Sequence, residues 1–468
     1  MSKNIIIVGG GISGLALLHY LKQGHKDAEI VLFEKNDHLG GTIRSVARGG
    51  CLFETGPNGF LDSKKRTLEF AREIGLEQEL VRADRASGTR YLSVHHALHP
   101  LPTSPKSFLS FGLLNPAEKV RVLGEIFVRR GDDPQESVYD FGKRRFGEKF
   151  SQVFLDPMVS GVYAGDARKA VLTAVFPRIA ALEREHGSLF RAMFKMRGQH
   201  KGQGNGKPER GGAMGSPAGT LTSFRRGIGQ AIDQVGALYK ESIRLNQEID
   251  AIFLRDGRYA VLAKNGQAHT ADELYLCAPA YCAGPLLQGI DPQLARALER
   301  VTYAPVAVVG LVCPQALLPD RPRGYGYLIP SSQRREVLGV LFESDIFPGR
   351  CGEGQVMLRA MIGGARHPDI LKKSREDLVR LALQELRPFT AEGTAEINAG
   401  DLSELFFAAF PRAIPQYDRD YCATLKVIEG QLERHRHLHL VANYLKGVSL
   451  NDCIENAYQA AQRPRINK

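Results

Sequence analysis

The residues best placed to do chemistry stand at the start of the chain. Gly9, Gly11 and Gly14 form a G-x-G-x-x-G turn between the apolar run Asn4–Val8 and a helical pattern over Leu15–Lys22; a second apolar run, Ile30–Phe33, ends at Glu34. This spacing suits a dinucleotide. The first glycine permits a tight turn, the second lets the backbone approach a pyrophosphate, and the third allows close helix–strand packing. Ile12 and Ser13, within the turn, are candidate cofactor contacts, and the helix that the turn opens faces the phosphates with its free N–H groups and positive dipole end. Glu34, twenty residues after Gly14 and followed by Lys35, stands where an acid binds ribose hydroxyls. A chance glycine turn beside a solvated Glu is the alternative, and the strand–turn–helix–strand context argues against it.

Two further glycine stretches decide between nicotinamide and flavin: Gly40-Gly41-Thr42-Ile43-Arg44-Ser45 and Phe53-Glu54-Thr55-Gly56-Pro57-Asn58. Near the far end, Val441–Asp452 runs from a strand through a loop into a helix. Together these resemble the amine oxidase and phytoene desaturase superfamily of flavoproteins. The resemblance implies FAD, with Gly41, Thr42 and Arg44 along it and Gly56, Pro57 and Asn58 passing close to the isoalloxazine ring. It also carries over Ile249, Asn443, Val448 and Ser449 as cofactor contacts, the last three before a helix aimed at the flavin N1–C2 edge. Reduced flavin is anionic at N1, which a helix dipole stabilises. Asn451 or Asp452 is alternatively an ordinary N-cap, a compatible role.

Three blocks narrow the resemblance: Gly447–Glu455, Phe410–Tyr417 and Asp156–Asp166. With the first sixty residues they resemble the protoporphyrinogen oxidase family, in family order. The implied fold class is α/β, with a Rossmann-like FAD-binding domain, a mixed-sheet α+β substrate domain and a helical membrane-associating domain. The implied boundaries are 1–84, 219–285 and 416–468 for the discontinuous FAD domain, 92–197 for the helical one, and 85–91 with 286–415 for the substrate domain. The implied activity is six-electron oxidation of protoporphyrinogen IX to protoporphyrin IX with oxygen as acceptor, in haem biosynthesis. Coproporphyrinogen III is the alternative substrate, and an amine or polyene a further one. Arg90 matches an arginine that pairs a substrate propionate, a role suited to a bidentate donor. Gly161 matches a glycine that leaves room for the macrocycle, and Leu328 and Leu341 match two leucines flanking a pyrrole ring. Met361 stands where plant members carry a stacking phenylalanine; methionine is more flexible and fills irregular gaps. No protein residue is assigned a catalytic role and no metal is expected. Partners are the porphyrinogen and oxygen, with a membrane surface, a ferrochelatase and a second copy as candidates, and no nucleic acid.

The remaining sequence must position these residues. At 468 residues, two or three domains are expected. Residues 107–197 read as mostly helical, 198–218 as a basic Gly-rich loop, and 243–279 as strands separated by Asp256-Gly257 and Asn265-Gly266, both hairpin signals. Val306–Val312 reads as a buried strand, 325–363 as short β segments, and 449–462 as a closing helix. The net charge of +11 fits a membrane surface or an anionic substrate. Seven scattered cysteines without a C-x-x-C pair read as reduced thiols, and the absence of a signal or spanning segment places the chain in the cytoplasm, peripheral to the inner face of the cell membrane if the basic stretch Phe108–Arg130 lies on it. The apolar face of that stretch serves equally well as helical core. Alternating His435, His437 and His439 read as a solvated strand face rather than a metal site.

Overall fold

The computed structural model describes residues 3–200, 219–393 and 395–462; the remainder of the 198–218 loop lies outside them. The Asn4–Val8 strand seeds a five-stranded parallel sheet in the order Ile243–Arg244, Glu29–Phe33, Asn4–Val8, Glu273–Leu276, Leu438–Leu440. Three distant parts of the chain therefore share one sheet. Ile5 and Ile7 pack on one side, against the Ile12–Gly24, Gly229–Leu238 and Leu450–Ala461 helices, while Ile6 and Val8 pack on the other with Ile252 and Val261. The period of two along a strand buried on both faces explains the continuous apolar run.

Ile252 and Val261 belong to a three-stranded antiparallel sheet, Ile249–Arg255, Arg258–Ala263 and Ala268–Ala271. Asp256 and Gly257 turn its first hairpin with φ of 49° and 76°, the pair of positive values that a type I′ turn demands. The second turn is longer, because the strands stop at Ala263 and resume at Ala268.

A seven-stranded mixed sheet runs Glu404–Pro415, Tyr303–Pro314, Gln355–Gly363, Val337–Leu341, Gly326–Leu328, Arg90–Val94, Ala97–Pro100. Only the Gly326–Leu328 and Arg90–Val94 pair is parallel. Residues 92–100, grouped with the helical segment in the sequence reading, are therefore strand: they extend this sheet, and the first helix after them starts at Pro105. One face of the sheet buries Val309, Leu311, Tyr327, Val340, Leu358 and Ile362 against the Arg375–Gln384 helix. The other face looks toward the Gly56–Asn58 turn and the helices of 105–200.

Within that helical region, Phe111, Leu114 and Val122 are core, whereas Leu109, Val120, Leu123 and Phe127 are exposed, Phe127 to 87%. The Phe108–Arg130 stretch is thus core in part and exposed in part. Among the described residues no helix is long and apolar enough to cross a membrane. Of the three histidines only His437 is exposed; His435 bonds Asp291 and His439 bonds Glu273, each at 2.9 Å, so those two are not a solvated face.

Candidate active site and cofactor cradle

The glycine turn is built as its spacing implies. Gly9 has φ of +112°, and a Cβ there would sit 3.0 Å from the backbone of Cys277. A Cβ on Gly14 would sit 2.0 Å from the Gly9 carbonyl oxygen, so helix and strand touch backbone to backbone. A Cβ on Gly11 would meet nothing within 4 Å. Nothing in the protein requires a glycine at that position, and the open space lies at the N-terminus of the Ile12–Gly24 helix, which no side chain caps. Gly41, with φ of +60°, places its missing Cβ 3.8 Å from the Gly11 Cα and closes the other side of the space. A space of this shape at a helix N-terminus fits a pyrophosphate.

Glu34 is buried at the end of its strand, accepting from the Gly10 N–H at 2.7 Å and from Asn36 N–H and Nδ2 at 2.9 and 2.7 Å. Lys35 is exposed beside it, and the Gln247 N–H bonds the Glu34 carbonyl at 2.9 Å, which brings Ile249 to the same end. Ile12 and Ser13 are both buried. The Ser13 hydroxyl turns to Cys453 on the Leu450–Ala461 helix, leaving Ser13 its backbone N–H for an anion.

Thr42 and Arg44, both exposed, are pinned through their backbones. Thr55 Oγ1 donates to the Thr42 carbonyl at 2.7 Å, and the Arg44 N–H donates to Thr55 Oγ1 at 3.0 Å. The Asn443 carbonyl accepts from the Tyr417 hydroxyl, and Val448 is half-buried against the core. Ser449 caps the last helix: its Oγ accepts from the Asp452 N–H at 3.1 Å and Asp452 reciprocates. The cap is therefore neither Asn451 nor Asp452; Asn451 is buried and accepts from Thr67 Oγ1 at 2.5 Å.

The substrate candidates converge through sheet register. Met361 stands opposite Gly339, and Gly339 opposite Leu328; Leu341 stands opposite Gly326, and Gly326 opposite Arg90. Cross-strand partners share a face, so Arg90, Leu328, Leu341 and Met361 lie on one side of the sheet. Gly161 joins them from the Asp156–Tyr163 helix, its missing Cβ 2.7 Å from Leu328 Cδ2. Asp156 fixes that helix on the sheet by accepting from the Ser331 N–H at 2.7 Å and pairing Arg366 at 3.0 Å. The Arg90 guanidinium lies 4.9 Å from the Tyr325 ring centroid.

Sequence reasoning missed the buried charges between the two sheets. Arg359, cross-strand from Leu341, donates to the Glu54 and Gly56 carbonyls at 3.1 and 2.7 Å and pairs Glu343 at 2.8 Å. Arg350 pairs Glu54 at 3.5 Å. Burial pushes the Glu54 carboxyl up to about 7, against the Ser45 hydroxyl and Arg350, and pushes Arg350 down. A lone arginine inside the apolar run Val356–Ile362 was the available signal, since such a charge must be paired.

The blocks that resembled one another's family neighbours also meet in space. Gln416 donates to the Tyr163 carbonyl at 3.0 Å, and the Tyr163 and Tyr417 rings lie 5.7 Å apart. The profile of the flavin containing amine oxidoreductase family matches residues 12–463. The chain is 30% identical over 478 residues to protoporphyrinogen oxidase 1, chloroplastic, of Arabidopsis thaliana, covering 98% of this chain and 88% of that one. The chain belongs to the protoporphyrinogen/coproporphyrinogen oxidase family. This family also includes the coproporphyrinogen III oxidase of Bacillus subtilis, 27% identical over 98% of this chain and 97% of that one. In fold, a crystal structure from Exiguobacterium sp. 255-15 superposes with a TM-score of 0.81 at 24% identity, covering 99% of this chain and 98% of that one. Like its family, this porphyrinogen oxidase is a flavoenzyme, and the cradle at Gly11 and Gly41 fits the FAD diphosphate.

Proposed function

We propose that this enzyme oxidises protoporphyrinogen IX to protoporphyrin IX at the sheet face bearing Arg90, Leu328, Leu341 and Met361. The observation carrying the reading is that register places all four on the side of the sheet facing the Gly56–Asn58 turn. Gly9, Gly11, Gly14 and Gly41 would cradle the FAD diphosphate, Glu34 the ribose, and Gly56, Pro57 and Asn58 the ring. Bound FAD supplies the two-electron acceptor, which oxygen restores between rounds. The residues orient the macrocycle: Leu328 and Leu341 offer apolar contact, Met361 a polarizable thioether, and Arg90 a planar partner for a propionate.

Two observations favour protoporphyrinogen over coproporphyrinogen. The second arginine of the face, Arg359, is engaged by Glu343 and two carbonyls, so it offers no added cationic contact for the further propionates of coproporphyrinogen. The exposed Leu109, Val120, Leu123 and Phe127, with Lys106, Arg129 and Arg130 nearby in sequence, suit a lipid surface where the more apolar substrate partitions. Purified FAD-loaded protein given each porphyrinogen aerobically tests the substrate by porphyrin fluorescence. Faster turnover of protoporphyrinogen is expected; faster coproporphyrinogen turnover would reassign the substrate, and no rate above autoxidation would reject both. Flotation with anionic liposomes tests the surface, and Leu123→Glu with Phe127→Glu should abolish it.

A further inference from the structure

Orienting the macrocycle through four residues leaves a buried charged pair without a task. Glu343 and Arg359 are 3% and 4% exposed and 2.8 Å apart. Burying such a pair costs desolvation and is weak as a source of stability alone. Its contacts are specific: Arg359 grips the backbone on either side of Thr55, and Glu343 accepts from Asn58 Nδ2, which lies 3.3 Å from both carboxylate oxygens. A carboxylate only accepts, so it takes the amide by its nitrogen, and Asn58 is left to present its oxygen, an acceptor, elsewhere.

We infer that Glu343 and Arg359 are positioning residues, which hold the Gly56–Asn58 turn to the sheet and fix Asn58 Oδ1 as an acceptor for a pyrrole N–H of the substrate. The inference rests on the porphyrinogen reading. A porphyrinogen carries four pyrrole N–H donors, and each one drawn out of water without a partner is costly. Leu341 and Met361, on the same face as Arg359, place the ring edge beside this turn.

The test is a double-mutant cycle on FAD-loaded full-length protein: wild type, Glu343→Asp, Asn58→Ala and the double variant. Glu343→Asp keeps a counter-charge for Arg359 while withdrawing the carboxylate from Asn58. Readouts are anaerobic flavin reduction by protoporphyrinogen, reduction by dithionite, and equilibrium binding of protoporphyrin by absorbance. Each single variant should slow reduction by porphyrinogen on the order of tenfold and weaken porphyrin binding, with dithionite reduction unchanged in Glu343→Asp. The double variant should lose no more than Asn58→Ala alone. Additive losses, or wild-type kinetics in Glu343→Asp, would overturn the positioning role. If Glu343→Asp does not load FAD, the cycle is repeated with Glu343→Gln, which keeps side-chain length but can donate as well as accept and so no longer fixes which end of the Asn58 amide faces it; failure of both to load would make the pair structural and also overturn it. A wild-type protein inert to every porphyrinogen instead sinks the functional reading, and does so before any variant is compared.

Discussion

Substituting Gly11 and Gly14 separately by alanine distinguishes a glycine needed by the ligand from one needed by the fold. A Cβ at Gly14 would fall 2.0 Å from the Gly9 carbonyl oxygen, about 1 Å inside the closest approach that real Cβ atoms show, and backbone on both sides leaves little room to yield. Gly14→Ala should therefore destabilise the apo-protein by about 3 kcal/mol or more, the upper range for overpacking. At Gly11 the backbone has φ −73° and ψ 177°, open to any residue, and the added methyl meets no protein atom. Its effect on apo stability should stay within about 0.5 kcal/mol, since the N-cap preference for glycine over alanine and the unfolded-chain entropy that alanine removes nearly cancel. The methyl would, however, occupy the phosphate space, and FAD affinity should drop on the order of a hundredfold, close to 3 kcal/mol. Thermal melting with and without FAD, alongside a flavin-fluorescence titration, separates the two. Gly14→Ala should lower the melting temperature of both forms; Gly11→Ala should lower only that of the FAD-bound form. A Gly11→Ala protein that binds FAD as tightly as wild type would refute the cradle.

Glu54 is held near 7, above the ordinary Glu value of 4.5, so the folded state binds the proton more tightly than the unfolded. Its contribution is greatest at low pH and is lost between about 4.5 and 7, up to about 3 kcal/mol; Glu54→Gln should flatten the stability profile across that window in denaturant titrations, and an unchanged slope would reject the assignment. Gly161→Ala should cost only about 1–2 kcal/mol because Leu328 Cδ2, 2.7 Å from the new Cβ, is a movable tip. Displacing Leu328 should nonetheless raise KM for the porphyrinogen several-fold with FAD content unchanged. Arg90→Lys keeps the charge but loses the fork, and KM should rise about tenfold; unchanged kinetics, even in Arg90→Ala, would remove the propionate clamp.

The features legible in the sequence are those whose cause is local. The turn at Gly9–Gly14 was readable because conformation, helix start and packing are all set within a few residues. So was the hairpin at Asp256-Gly257, where two positive φ values select the residue types. The Ile5–Val8 run announced a strand but not all of its sheet: Glu273–Leu276 pairs with it some 270 residues further on, and Leu438–Leu440, some 430 residues on, lies beyond that. His435 and His439 were misread for the same reason: Asp291 stands 144 residues before His435, and Glu273 stands 166 before His439. The pattern of Phe108–Arg130 showed which side chains share a helix face, but which face meets water depends on what folds beneath it.

The site divides along the same line. Arg90, Leu328, Leu341 and Met361 entered through resemblance alone, since in each case the local pattern permitted a core or surface role. Register then puts them on one face, because an even number of steps along each strand separates those that share one. Glu343 and Arg359 had no resemblance to draw on, yet they follow from the same ladder: Arg359 is two residues from Met361 and opposite Leu341, so its charge shares their face of the sheet. A charge in that position is tolerable only with a counter-charge and acceptors at hand, and Glu343, the Glu54 carbonyl and the Gly56 carbonyl provide them. The turn proposed to lie against the flavin and the face proposed to hold the substrate are thereby joined by one side chain.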